Sequence, residues 1–201
     1  MNPAARSRPP LSAADKAAGQ RALLWCMLPF AGPILLSIAL VLLTTLGPPL
    51  PTLAPGQGWR LVAPGALAAL LGWLWVVWQI GRTTERADWR RIAAALALGM
   101  SVLSLPVWTL GVMQWVNGRF ATEAQATRVP LKGLSTSTKS RSRTPYYWAH
   151  LPGDAAAGLP AGRYLLDSGH HAAWSAQPPA TVTVHHAHGL LGARVVAGLG
   201  D

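Results

Sequence analysis

Three stretches of the chain contain no Asp, Glu, Lys, Arg or His: Ala22 to Trp59, Leu61 to Gly81 and Ile92 to Gly118. About 20 mainly apolar residues, at a rise of ~1.5 Å each, cross the ~30 Å hydrocarbon core of a bilayer as a helix. An uncharged helix buried in a soluble core rarely exceeds about 14 residues. Lipid offers nothing to hydrogen-bond a bare peptide group, so a crossing segment must satisfy its own backbone. The three runs therefore predict a three-helix transmembrane region within residues 22–118, with helices over about 22–46, 61–81 and 92–117. Composition agrees, since 51% of the 201 residues are hydrophobic and only 12% charged, against about 25% charged in a soluble domain.

Prolines and tryptophans punctuate these runs. Pro29 and Pro33 fall on one face of the first helix and each removes a backbone donor, which predicts a kink or a helix that starts near Pro33. Gly47-Pro48-Pro49-Leu50-Pro51 ends it. Trp73, Trp75 and Trp78 place the second half of helix two at a headgroup layer. Pro106 predicts a kink in helix three, with Trp108 and Trp115 towards its far end. Ala68-x-x-x-Gly72 and Ala95-x-x-x-Gly99 are small-residue pairs that permit close helix contact. The single cysteine, Cys26, excludes an intrachain disulfide and reads as a small buried residue rather than a palmitoylation site.

The net charge of +10 could suggest nucleic acid, but the basic residues lie where membrane loops carry them, which argues against that partner. Arg6, Arg8, Lys16 and Arg21 precede helix one, and Arg82, Arg86, Arg90 and Arg91 join helices two and three. The other side carries Arg60, Arg119, Arg128 and Lys132. Eight against four predicts a cytoplasmic N-terminal tail over residues 1–21, without fixed structure up to Gln20, and an extracytoplasmic C-terminal domain over 119–201. An Ala-, Gly-, Pro- and Arg-rich composition fits a GC-rich bacterium, hence an inner-membrane protein with a periplasmic domain.

From Arg119 the pattern changes to short strands. Thr127 to Lys139 is extended, Ser140 to Thr144 turns, and Pro145 to Leu151 and Gly162 to Asp167 read as strands. Thr181-Val182-Thr183-Val184-His185-His186 alternates most cleanly; Gly189-Leu190-Leu191-Gly192 then turns the chain into Ala193 to Ala197. About five strands imply a small antiparallel β-sheet or half-open barrel. Trp174, after His170-His171, is expected to anchor a short turn. Over Ala126 to Val196 this order resembles the small extracytoplasmic β-domains that follow membrane helices in uncharacterised bacterial inner-membrane proteins. That resemblance implies a fold and brings no assigned chemistry.

All six histidines, His150, His170, His171, His185, His186 and His188, lie in this domain. On a strand His186 and His188 share a face, so with His170, His171 or His150 they could ligate zinc or another divalent metal. Scarce carboxylates weigh against that, as does a strand ending at His186, and solvated or interface histidines are the favoured reading. Tyr146 and Trp148 share a strand face and, with Lys139, Arg141 and Arg143 in the adjoining turn, form a candidate ligand or partner surface. Core packing and a solvated turn are the plainer accounts of both. Ser168-Gly169-His170 lacks a nucleophile elbow, and no phosphate loop, cysteine pair or carboxylate dyad occurs. The spans hold only hydroxyl and amide polar groups, which suits an anchor better than a transporter. The expected role is non-enzymatic, with no cofactor: a membrane anchor presenting a β-domain to an envelope protein or to a second copy of itself. A metal site on the histidines and an immunity protein against an envelope-acting toxin are the alternatives.

Overall fold

The computed structural model describes residues 13–46, 50–85, 87–138 and 145–200. Three helical spans are long and apolar enough to cross a membrane: Lys16–Thr45, Gln57–Thr83 and Ala87–Arg119. The first belongs to helix α1 (Ala13–Thr45). It starts before Ala22, because Ala13, Ala14, Lys16, Ala17, Ala18 and Gln20 are good helix formers that carry the helix out beyond the apolar run. Helicity also runs through Pro29 and Pro33, so the helix does not begin at Pro33. The second span is a 3-10 turn (Gln57–Leu61) leading into α2 (Val62–Thr83). The third is α3 (Ala87–Val107), a π turn (Trp108–Val112) and α4 (Met113–Arg119). The irregularity predicted at Pro106 is thus a π turn starting two residues on, a form that absorbs a disturbed hydrogen-bond ladder.

The spans pack through small residues, and of the two predicted pairs Ala68 and Gly72 are half-buried. Ala69, Ala93, Ala97, Ser101 and Ser104 are buried, whereas Ala95 and Gly99 face outward. A Cβ at Gly65 would stand 2.6 Å from Thr109 Oγ1, and one at Gly111 would stand 2.5 Å from Ser37 Oγ. At the π turn both α1 and α2 therefore come close to the third span. Cys26 is buried as expected, and its Sγ donates to the Ala93 carbonyl at 3.2 Å. Trp73 Nε1 donates to the Ala94 carbonyl at 3.1 Å, so this tryptophan bonds a neighbouring helix. Leu24 (71% exposed), Leu43 (60%) and Leu103 (62%) point away from the bundle, an arrangement that lipid favours and water penalises.

Among the described residues seven strands make two sheets. One has the order β1-β7-β6-β2 and the other β3-β4-β5, where β2 is Gln125–Pro130, β3 Gly133–Thr138, β4 Pro145–Leu151, β5 Gly162–Leu166, β6 Thr181–His188 and β7 Arg194–Gly200. The extended stretch expected over Thr127 to Lys139 is divided at Pro130, which has no N–H to continue a ladder. Strand β1 (Thr52–Leu53) is the unforeseen element. It lies between α1 and α2, yet Thr52 pairs with Val196 and Leu53 with Val195. Val129, Val182, Val184 and Val196 from one sheet and Ala149, Leu151, Tyr164 and Leu166 from the other share a single core. The turn expected around Trp174 is a helix, α5 (Ser168–Ala176), capped by Asp167 Oδ1, which accepts from His170 N at 2.9 Å. Trp174 anchors it, 3% exposed in the same core.

The helix contact yields a test that separates the observed interface from the predicted one. Gly65→Val overfills the crossing with Thr109 and is expected to cost about 1–3 kcal/mol, seen as a lower thermal midpoint in detergent. Gly99→Val, which has open space around it, is expected to leave the midpoint unchanged.

Candidate functional site

The core-facing row of β6 runs Val182, Val184, His186. It ends in an imidazole that is 0% exposed. Thr127 Oγ1 lies 2.9 Å from His186 Nε2, and Arg194 Nη1 lies 3.2 Å from Nδ1. A guanidinium can only donate, so Nδ1 is the acceptor, and Nε2–H donates to Thr127. One neutral tautomer is thereby fixed. Burial, then the charge of Arg194 and the proximity of His188, hold the His186 pKa below its ordinary 6.5, with Asp154 opposing weakly. Gly158, at φ 63°, turns the chain beside the Arg194 guanidinium, and a side chain there would occupy the guanidinium's place.

Arg194 also leads back to the membrane helices. Its carbonyl accepts from Ala54 N at 3.0 Å. In the turn before it, Arg60 Nη1 donates to the Gly192 carbonyl at 2.7 Å. Asn117, at the end of α4 and 0% exposed, donates from Nδ2 to the Ala193 carbonyl at 3.0 Å and accepts on Oδ1 from Leu191 N at 3.0 Å. The β6–β7 turn is therefore clamped between the start of the second span and the end of the third. Sequence reasoning missed Asn117, Arg60, Arg194 and Thr127. Asn117 carried a faint signal, as an amide placed where an uncharged run meets the first arginine after it.

The histidines expected as zinc ligands stand on three elements, and the structure does not bring them together. His186 has both nitrogens engaged as described. His188 continues β6, contrary to the expected strand end, and is exposed; its backbone N bonds Thr122 Oγ1 at 3.2 Å. His150 Nε2 lies 2.8 Å from Ser135 Oγ. His171 stacks on Tyr147 with ring centroids 4.3 Å apart. His170 pairs with Asp167, whose carboxyl is held below its usual 3.8 first by the His170 backbone N–H and then by its ring. Among the described residues no group of three or more His, Cys, Asp or Glu could hold a metal ion.

Tyr146 and Trp148 do share the outward face of β4, with centroids 6.4 Å apart at 24°. Arg163 of β5 lies over the Trp148 ring at 5.6 Å, and Trp148 Nε1 donates to Ser137 Oγ at 2.7 Å. This is a ladder of rings capped by a guanidinium, with its indole N–H already bonded. Lys139, Arg141 and Arg143 lie outside the described residues.

A different feature adjoins the ladder. Strand β5 pairs only with β4, and β1 covers only Val195 and Val196 of β7. Among the described residues the remaining edges of β5 and β7 have no strand partner. They flank a cleft of about 250 Å3 whose apolar lining includes Leu50, Leu165, Leu166, Val196 and Leu199. Searches of known protein families, of curated proteins and of solved structures find no match to the chain.

His186 gives the domain a pH signature. Its folded-state pKa is depressed, so the unfolded chain binds the proton first; stability is complete above pH ~6.5 and falls as the pH drops through and below that value. The expected slope is up to about 1.4 kcal/mol per pH unit, measured by tryptophan fluorescence during denaturation between pH 7.5 and 5. His186→Gln can still bond Arg194 and Thr127 but does not titrate, and is expected to flatten the curve. An unchanged slope in that variant would assign the acid response to other groups.

Proposed function

We propose that the chain is a membrane-anchored accessory protein of a bacterial inner membrane, with its N-terminus in the cytoplasm, that presents its β-domain in the periplasm to an envelope protein. One observation carries this reading: among the described residues, the edges of β5 and β7 on either side of a leucine-lined cleft have no strand partner. Edge strands offer a row of free N–H and C=O groups and commonly recruit a further strand, with side-chain pockets giving selectivity. Strand β1 shows that the β7 edge accepts such an addition, since a segment from between two membrane helices already pairs there. Pro51, without an N–H, precedes that pairing and limits its extension in one direction. A domain clamped to its helices through Asn117 and Arg60 holds this edge at a fixed height above the bilayer, where an envelope partner can meet it.

The reading is tested by crosslinking in intact membranes. A photoreactive residue in place of Leu199 is expected to capture one defined polypeptide, either a partner or a second copy. Leu165→Lys, which puts a charge at an exposed position of the cleft wall, should reduce that product at least about ten-fold. A chain that purifies alone in mild detergent, crosslinks to nothing through Leu199 and shows turnover of a substrate would overturn it.

A further inference from the structure

The turn between β6 and β7, Gly189-Leu190-Leu191-Gly192, carries no charge, and most of its backbone groups are bonded within the protein. The N–H groups of Gly189 and Gly192 go to the carbonyls of Ala193 and Gly189, at 3.0 and 2.9 Å. The Leu191 N–H goes to Asn117 Oδ1, and the Gly192 carbonyl accepts from Arg60 Nη1. A Cβ at Gly189 would collide with the Asn117 side chain, so the turn sits directly on the end of α4. A turn built for water can leave its peptide groups to solvent, whereas one that enters a bilayer surface must satisfy them within the protein. What this turn leaves over is apolar: the Leu190 side chain, 62% exposed.

The spans set the depth of the turn. As a helix the uncharged run over residues 61–81 is about 30 Å long, the thickness of the hydrocarbon core, so Arg60 and Arg82 mark its two edges. From one of those edges Arg60 reaches the Gly192 carbonyl at 2.7 Å. The turn therefore stands within one arginine side chain of the hydrocarbon. Asn117, which holds the Leu191 N–H, belongs to the third span. At these same span ends Trp59 and Phe120 are more than half exposed. The Arg60 guanidinium is 5.6 Å from the centroid of the Trp59 ring, and Phe120 meets Trp115 edge-on with centroids 6.4 Å apart. Exposed aromatic rings and long basic side chains at helix ends settle at the headgroup layer. Leu190 is held at that level.

We propose that the β6–β7 turn is a second membrane contact of this chain, with the Leu190 side chain in the boundary between headgroups and acyl chains of the leaflet next to the β-domain. The proposal rests on the three spans crossing a bilayer; it does not depend on which side the domain faces or on the partner cleft. The test is spin labelling of the full-length protein in dioleoylphosphatidylcholine vesicles. Cys26→Ser, which keeps a donor to the Ala93 carbonyl, is the background for single labels at Leu190→Cys, at Leu35→Cys within α1 and at Ser175→Cys in α5. All three positions are exposed, so no label displaces a packed side chain. Collisions with oxygen, which concentrates in lipid, are compared with collisions with a water-soluble nickel chelate. The oxygen-to-nickel ratio at 190 is expected to exceed that at 175 at least about three-fold and to fall below that at 35. A ratio at 190 equal to that at 175, with 35 in lipid, would overturn the proposal and leave the spans standing. A label at 190 that meets neither reagent is covered by protein, which would also overturn it. Nickel access at 35 would remove the spans and the proposal together.

Discussion

A peptide group in hydrocarbon has no water to bond, so every stretch that crosses must be helical, and every departure from helix must lie at the surface or against protein. That constraint fixes the layout of this chain. Three uncharged runs become three spans, and the chain leaves regular helix between them only near their ends. The one interior irregularity, the π turn after Pro106, is packed against α1 and α2 at Gly65 and Ser37. Three crossings would put the segment between α1 and α2 on the same side as the chain after α4, and the pairing of β1 with β7 agrees with that.

This pairing changes the character of the β-domain. A sheet of this size is marginal on its own. Here part of it is supplied by the membrane region, through β1, and the β6–β7 turn is held by Asn117 from one span and Arg60 from another. The domain is better described as a cap on one end of the helical bundle than as a module tethered beside it. The same contacts explain why a histidine can sit wholly buried at the end of the core. Arg194, which bonds His186, is itself placed by Ala54 on one side and by the β6–β7 turn on the other.

Features governed by local composition were legible in the sequence. The spans follow from the missing charges, β6 from Thr-Val alternation, and the burial of Cys26 and Trp174 from their size and apolar character. What was not legible depends on contacts distant in sequence. Nothing near Thr52 announces a strand, because only Val195 and Val196, more than a hundred residues on, make it one. Ala95-x-x-x-Gly99 has the spacing of a packing motif, but the close approaches of the third span are at Gly65 and Gly111, and this pair faces outward. The candidate site was read least well. Alternation put His186 and His188 on one face, but His186 is buried and His188, still on β6, is exposed. Whether a histidine ligates, titrates or packs depends on its partners, and Arg194 and Thr127 arrive from other strands.

The central claim is that the segment between the first two spans is a strand of the C-terminal domain, on one side of the membrane. Thr52 and Val196 are directly opposed across β1 and β7, at a separation that suits a disulfide. The direct measurement is oxidation of the Thr52→Cys, Val196→Cys double variant in sealed membranes, followed by electrophoresis after proteolysis between the two positions. The account predicts a rapid, near-complete crosslink within one chain. Thiols that stay free, and are labelled by an impermeant reagent from opposite faces of the membrane, would contradict it.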